Sequence, residues 1–471
     1  MRSPVRALAV ALVVTAAVSA CGLKQDVKDQ LAQGQLNQGG IGVGEGPGVV
    51  TDPGTGPSAG PGAGPGTGPG TVTGPGTGGG NQPGTGGGNQ PGTGGGNQPG
   101  TNTPVGGTTI GIDTKNKVIN IALHGPLTGA GVPQQSFTTG TPKYWANRKL
   151  SNGYTVKAVA IDDKYNAADA LRACNAASKE NFMVIGGAGT DQISACAQSP
   201  VLRRTHTPYL SAGVTEAGLG NIPTYFATSL TYKEQAPLLI KLAKDRGYFG
   251  KKWAMVITGT PNFTDARQAM VQELTSNGAK GSAGAFDANK DVFLTDKAPT
   301  NCASLASSIR GGGYEVVYFL GQPSFFAQCV GSIGNVPVNP IYTGPGPSFG
   351  INSVINLACK ANPQYEGYYL HPTPSHNQRA KYGAPDDLTD DIEVGIWGAM
   401  QQLHQSLEMV LKGGPLTRER FIEVSNNATI PGGVFTPVKF TANDHFGGTA
   451  AYANAALCPQ GISNTVGTYR K

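Results

Sequence analysis

The sequence predicts an α/β protein of two doubly wound parallel-sheet lobes, carried behind a long low-complexity segment. Three observations lead there. Short apolar runs of strand character alternate with helical segments. The alternation comes in two separate series. And the 471-residue chain, once its N-terminal low-complexity part is set aside, is long enough for two units of ordinary domain size.

The first series opens with Val118-Ile-Asn-Ile-Ala-Leu123, a short apolar strand ended by Gly125-Pro126. A helical segment follows through Tyr144 and Trp145 towards Asn152-Gly153. Tyr154 to Ile161 alternates as a strand and ends at Asp162-Asp163. Asn166 to Glu180 is an Ala-rich helix. Phe182 to Ile185 is a strand broken by Gly186-Gly187-Ala188-Gly189, and Thr190 to Arg204 is a helix with Thr190 or Asp191 as its cap. Pro208 to Ser211 is the next strand. The second series runs from strand Trp253–Ile257 through helix Asn262–Ser276, with Ala266, Met270 and Leu274 on one face and Gly278 as its stop. Strand 280–286, helix 301–310, strand 315–320, helix 323–333 and strand 340–343 complete it. Open α/β sheets hold ligands beyond the C-terminal ends of their strands. The loops after Leu123, Ile185, Ser211, Ile257, Phe319 and Thr343 are therefore expected around any site.

The N-terminus reads as an export signal: basic Arg2 and Arg6, the uncharged run Ala7–Ala17, then Val18-Ser19-Ala20-Cys21. The run is too short to span a bilayer, which takes roughly 20 apolar residues. Val18 to Cys21 resembles the lipobox of bacterial lipoproteins, which implies cleavage after residue 20 and lipidation of Cys21. An ordinary signal peptide with an incidental cysteine is the alternative. Residues 21–109 are expected to be a tether. From Gly34 to Thr109 they are Gly, Pro, Thr, Asn and Gln with hardly an apolar residue, and Asn81, Asn89 and Asn97 mark a period-eight repeat. Such a composition cannot bury a core. As a Gly-rich coil it has an r.m.s. span of roughly 50 Å.

Seven cysteines are present. Without Cys21 they are Cys174, Cys196, Cys302, Cys329, Cys359 and Cys458, an even set suited to three disulfides in an oxidising compartment. Fifteen connectivities are open; the simplest is sequential. The net charge of +6 is modest, and no basic run with interleaved aromatics points to nucleic acid. No nucleophile elbow, zinc-protease helix or phosphate loop occurs, and no metal or cofactor motif. Asp162-Asp163 and Asp390-Asp391 could pair as acids, but neighbours in a strand face opposite ways. A non-enzymatic binding protein is expected.

The ordered set of segments resembles the type I periplasmic solute-binding proteins of ABC transporters, in particular the leucine/isoleucine/valine-binding branch. It is carried by Val118–Gly129, Val159–Asp163, Val184–Thr190 and Tyr209–Thr215 and covers residues 116 to 460. The resemblance implies two lobes joined by three hinge crossovers, near 226–232, 367–373 and 431–446. Lobe 1 would take about 112–229 and 373–431, lobe 2 about 230–367 and 440–471. It also implies a Cys174–Cys196 bridge, a small-molecule solute between the lobes, a membrane permease as partner, and an extracytoplasmic location on the periplasmic or cell-wall side. By position, Gly189, Thr190, Ala212, Gly213 and Thr215 would grip the solute's carboxylate. Thr128 and His124 stand in the first loop, His124 as a ligand donor or a satisfied buried histidine. Phe263, Gln322, Phe325 and Tyr342 would form walls. The family's acid for an amino acid's ammonium would fall in Gly344-Pro345-Gly346, where none stands. A buried ammonium without a counter-charge costs several kcal/mol, so a carboxylate, amide or less charged organic solute is expected. A sensor or envelope-binding module on the same fold is the rival, since function lives in the site and not in the fold.

Overall fold

The structure, a computed structural model, describes residues 107–129, 135–296, 299, 301–334, 339–346 and 352–471. The expected export signal, Cys21 and nearly all of the tether lie outside the described residues. So does Ala130, beside which the resemblance would set an aromatic.

Two sheets organise the body. The first contains β1 (Ile112–Asp113), β2 (Val118–Gly125), β3 (Thr155–Asp162), β4 (Val184–Gly186), β5 (Tyr209–Ser211) and β6 (Tyr225–Ala227). Its parallel order is β3-β2-β4-β5-β6, with β1 antiparallel against the start of β2. The second contains β7 (Trp253–Thr258), β8 (Val292–Thr295), β9 (Val316–Leu320), β10 (Ile341–Pro345), β11 (Glu366–His371), β12 (Ala450–Leu457) and β13 (Ile462–Arg470). Its order is β8-β7-β9-β10-β11-β12-β13, parallel through β11 and antiparallel beyond. Helices cover both faces of each sheet, so the central strands are buried on both sides. Ile121 and Ala122 point opposite ways, and both are fully buried.

The helices that position the site are α1 (Ser136–Trp145), α2 (Ala167–Ala177), α3 (Thr190–Ala197), α4 (Tyr232–Asp245), α5 (Thr264–Ser276), α6 (Ala303–Gly311), α7 (Pro323–Ile333), α8 (Asn352–Ala361), α9 (Asp391–Lys412) and α10 (Arg418–Ser425). Their starts are chemically marked. Asn166 caps α2 by accepting from Ala168 N and Asp169 N. Thr231 and Glu234 form a reciprocal capping box on α4. Asp390 caps α9 through Ile392 N and Glu393 N.

The chain crosses between the lobes after β6, after β11 and before β12. The first and third crossings lie side by side. Ala227 N–H donates to His445 O at 2.9 Å, and Gly447 N–H donates to Ala227 O at 3.0 Å. One apolar core runs from Cys174 and Tyr209 in the first lobe through Leu230 to Trp253 and Met255 in the second. Separate cores fill the outer face of each lobe.

Three disulfides join Cys174 to Cys196, Cys302 to Cys329 and Cys359 to Cys458. This is the sequential pairing, and none of the three bridges links one lobe to the other. Arg418, fully buried, donates from Nε to Phe182 O at 3.0 Å, from Nη1 to Thr205 O at 2.9 Å and from Nη2 to Ser178 O at 2.6 Å, with Asn181 O as a fourth acceptor. It ties α10 to the entry of β4.

Three segments differ from the sequence reading. The helix expected over 190–204 is broken: α3 ends at Ala197, and Ser199 caps a new short helix at Pro200–Arg204. Pro200 has no N–H to continue a helical ladder, which explains the break. Gly189, not Thr190 or Asp191, is the N-cap of α3. Segment 280–286 is no strand of the main sheet. Lys280–Gly281 pairs with Gly284–Ala285 in a small hairpin and meets the start of β7 only through a single parallel bridge from Lys280 to Lys252, while β8 takes the place beside β7. Glycine-rich sequence disfavours a long strand there. Helix α1 stops at Trp145, well short of Asn152. The chain then turns, with Leu150 N–H donating to Tyr154 O at 2.7 Å.

Candidate functional site

The C-terminal ends of both sheets face one cavity of about 330 Å³. The first lobe contributes the loop after β4 and the start of α3, from Gly186 to Ile193, together with Ser211, Ala212 and Thr228. The second contributes Thr258, Thr260, Phe263 and Leu320 to Ser324. The second crossover adds His371, Pro372 and Thr373, and α9 adds Asp391 and the residues behind it. A concave, mostly apolar space with a few converging polar groups is the usual form of a small-molecule site.

The lobes touch across this space. Asn262 Nδ2 donates to Asp191 Oδ1. Asp265 Oδ2 accepts from Thr215 Oγ1 at 2.8 Å and from Glu216 N at 2.7 Å. Asp391 Oδ2 accepts from Asn352 N at 2.7 Å, joining the start of α9 to the start of α8. All of these contacts lie at or beside the cavity, so the cleft is bridged in this conformation.

Polar character in the wall comes from three kinds of group. Gly189 and Thr190 begin α3, where backbone N–H groups lack helical partners and suit an anion or a carbonyl. His371 is pushed down to about 4 by burial, so its ring is neutral at pH 7. Its Nδ1 lies 3.2 Å from Thr373 N, 2.7 Å from Thr373 Oγ1 and 3.2 Å from Thr373 O, so Thr373 fixes the orientation of the ring. Asp391 is pushed up to about 6, burial being the largest cause.

The Asp391 shift has a sign that can be tested. The folded value lies above the ordinary 3.8. The group's favourable contribution is therefore complete below about pH 4 and is lost as pH rises through about 6. Asp391→Asn keeps an acceptor for Asn352 N–H and removes the charge. Thermal melts are expected to match the wild type at pH 4 and to show the variant more stable at pH 8. A constant gap across that range would contradict this.

The paired aspartates act as braces. Asp162 accepts from Thr128 N, Thr128 Oγ1 and Lys164 N. Asp163 accepts from Tyr165 N at 3.0 Å and is bonded to His124 Nδ1 at 3.0 Å. Between them they hold Lys164 and Tyr165 at φ of 50° and 53°, a left-handed geometry costly for such side chains. The turn brings Tyr165 to the cavity wall. Burial, the neighbouring Asp191 and Asp163 push its hydroxyl up to about 12, so it stays a donor.

Of the residues singled out from sequence, Gly189, Thr190, Ala212, Phe263 and Gln322 reach the cavity wall. Six do not. His124 is fully buried beneath the loop, with both ring nitrogens engaged by Asp163 and by the Tyr209 hydroxyl at 2.8 Å. It is the satisfied buried histidine. Thr128 is exposed and bonded to Asp162. Gly213 N–H is taken by Ser229 Oγ at 2.9 Å. Thr215 serves the Asp265 bridge instead of facing the cavity. Phe325 packs on Phe319 in the outer core of the second lobe. Tyr342 is fully buried there against Phe326 and Tyr365. Tyr165, His371, Asp391 and Gln402 are wall residues that the sequence reading missed. No acid stands at 344–346, but Asp191 and Asp391 reach the wall from other elements.

Comparisons with known proteins agree with this architecture. The family model described as "Periplasmic binding protein" matches residues 119–455, and the chain belongs to that family. A solute-binding protein of an ABC transporter from R. palustris, solved with 4-hydroxybenzoate, is 16% identical with a TM-score of 0.61, covering 75% of this chain and 97% of that one. A fatty acid ABC transporter substrate-binding protein from Thermomonospora curvata is 15% identical with a TM-score of 0.62, covering 77% and 95%. A leucine-binding protein from Thermotoga maritima is 13% identical with a TM-score of 0.59, covering 75% and 99%. No curated protein is similar enough in sequence to count as a match. At such identities the structures share a fold, the type I periplasmic binding protein fold.

Proposed function

We propose that the protein is the extracytoplasmic solute-binding component of an ABC-type importer, held to the membrane by a lipid on Cys21. The low-complexity segment 21–109 would be its leash. The two lobes close over a small organic solute and present it to a permease. The observation that carries this reading is the cavity itself. Both lobes build its wall, and hydrogen bonds donated by Asn262 and Asn352 and accepted by Asp265 reach across its edge. The solved relatives named for 4-hydroxybenzoate, fatty acid and leucine support a small organic solute as cargo. An amino-acid-like compound, an amide or a carboxylate would fit, the Gly189–Thr190 donors taking its oxygen.

A thermal-shift screen of amino acids, amides, aromatic acids and short carboxylates tests this. Binding to the folded state stabilises by RT ln(1 + [L]/Kd). At least one solute is expected to raise the melting temperature, and Thr190→Val should weaken that solute about tenfold without unfolding the protein. Lipidation is tested separately by expressing the full chain and its Cys21→Ala variant. The wild type is expected in the membrane fraction and the variant in the soluble one; equal partition would contradict the anchor.

A further inference from the structure

The cavity does not stop at the cleft. One stripe of α9 lines it over three turns: Asp391, Ile392, Gly395, Ile396, Ala399 and Gln402. At 1.5 Å per residue the stripe is about 16 Å long. It starts where Asp391 meets Asn352 of the second lobe and runs down into the first. Leu123 and Phe137 of the first lobe and Phe435 of the third crossover add apolar side chains to the same wall. A Cβ built on Gly395 meets nothing within 4 Å, so free space passes the helix there.

Gln402 lies at the far end. It is 2% exposed, yet neither Oε1 nor Nε2 has a hydrogen-bond partner among the described residues. Buried amides are nearly always paired, and an unmet donor beside an unmet acceptor is costly to keep. Both atoms are covered in this conformation, and because the residue lines a cavity, a turn of its side chain would bring them to an occupant that supplies the partners. The acids of the wall, Asp191 and Asp391, come from the start of α3 and the start of α9. Among the described residues no Lys or Arg lines the cavity. An ionised carboxylate beside Gln402 would have no counter-charge, and an ammonium no acid.

We infer that Gln402 anchors a deep subsite of the first lobe, one that selects solutes with an apolar body ending in a neutral group that both donates and accepts, as a carboxamide does. The inference rests on the reading that the cavity binds a solute. It adds which end of that solute lies deepest and what chemistry it carries.

The test uses the full chain and four probes: hexanamide, hexanoate, hexylamine and leucine, titrated by calorimetry at pH 7.5. Hexanamide is expected to bind at least tenfold more tightly than hexanoate or hexylamine. Gln402→Leu, which keeps the apolar volume, should weaken hexanamide at least tenfold. Gly395→Leu should abolish its binding while the protein still folds, because a Cβ there meets nothing within 4 Å and the longer side chain is directed to the cavity that Gly395 lines. Equal affinity for hexanamide and hexanoate would overturn the inference. So would an unchanged hexanamide affinity in Gln402→Leu, which would mean that trapped water alone satisfies the amide. If leucine or another solute of the thermal-shift screen binds, and Gly395→Leu leaves it unaffected while hexanamide fails, the deep subsite falls and the cleft reading stands. If no compound of the screen binds, the cleft reading falls and the subsite with it.

Discussion

Arg418→Met is expected to lower the stability of the folded body by about 4 kcal/mol or more, the largest loss from any single substitution considered. The guanidinium is buried; the neighbouring Glu419 carboxylate acts on it, but no salt bridge to it is found among the described residues. Its donors end on four backbone carbonyls, Ser178, Asn181, Thr205 and Phe182, all in the α2–β4 and α3–β5 connections. Methionine fills much of the volume but donates nothing. Each buried carbonyl left unmet costs about 1–3 kcal/mol, offset in part by no longer burying a charge. Burial already pushes the Arg418 guanidinium down to about 10, so it remains charged at neutral pH and the loss should be flat from pH 6 to 8. Urea unfolding followed by far-UV circular dichroism gives the difference. A loss under 1 kcal/mol would mean that water reaches these carbonyls.

His124→Leu should cost about 3 kcal/mol and also reach the cavity. Asp163 and the Tyr209 hydroxyl, both buried, would lose one partner each, and unmet buried polar groups carry that order of penalty. The substitution also loosens Asp163, which holds Tyr165 in its left-handed turn. The variant is therefore expected to bind any cleft solute several-fold more weakly, although His124 itself does not line the cavity. A stability loss with unchanged solute affinity would show that the turn holds without its histidine.

The two-lobe plan was legible because each strand in the two series is short, apolar and ended by Gly, Pro or Asp, and because the series repeats. The loops after β4 and β5 were legible for the same reason: a strand end followed by small residues places Gly189, Thr190 and Ala212 at the rim by topology alone. Which way a side chain faces was not. In β10, Tyr342 points to Phe326 on one face while Thr343 meets the Tyr248 hydroxyl at 3.2 Å on the other. With both faces buried, the alternation that would reveal orientation disappears. Phe325 fails similarly: α7 buries Ser324, Phe325, Phe326 and Ala327 in succession, so burial does not mark its cavity side.

The residues missed have a different cause. His371 sits on the second crossover and Asp391 and Gln402 on α9, far along the chain from the β4 and β5 loops they join. Asp390-Asp391 looked like an acid pair; one member caps the helix and the other turns into the cavity. Gln402 carries no clear sequence signal: Gln401 adjoins it, and Gln405 and Ser406 follow one turn on, so its amide does not stand out from a polar stretch of α9.

The central claim is that a small solute occupies the space between the lobes. Calorimetric titration of the wild type and of Ala212→Trp, side by side with the solute found in the screen, tests it most directly. Ala212 lines the cavity from the first lobe, and an indole there would fill the space where the lobes meet. One-to-one binding by the wild type, absent in a folded Ala212→Trp protein, is the expected result. Equal binding by both proteins would place the solute elsewhere and contradict the account.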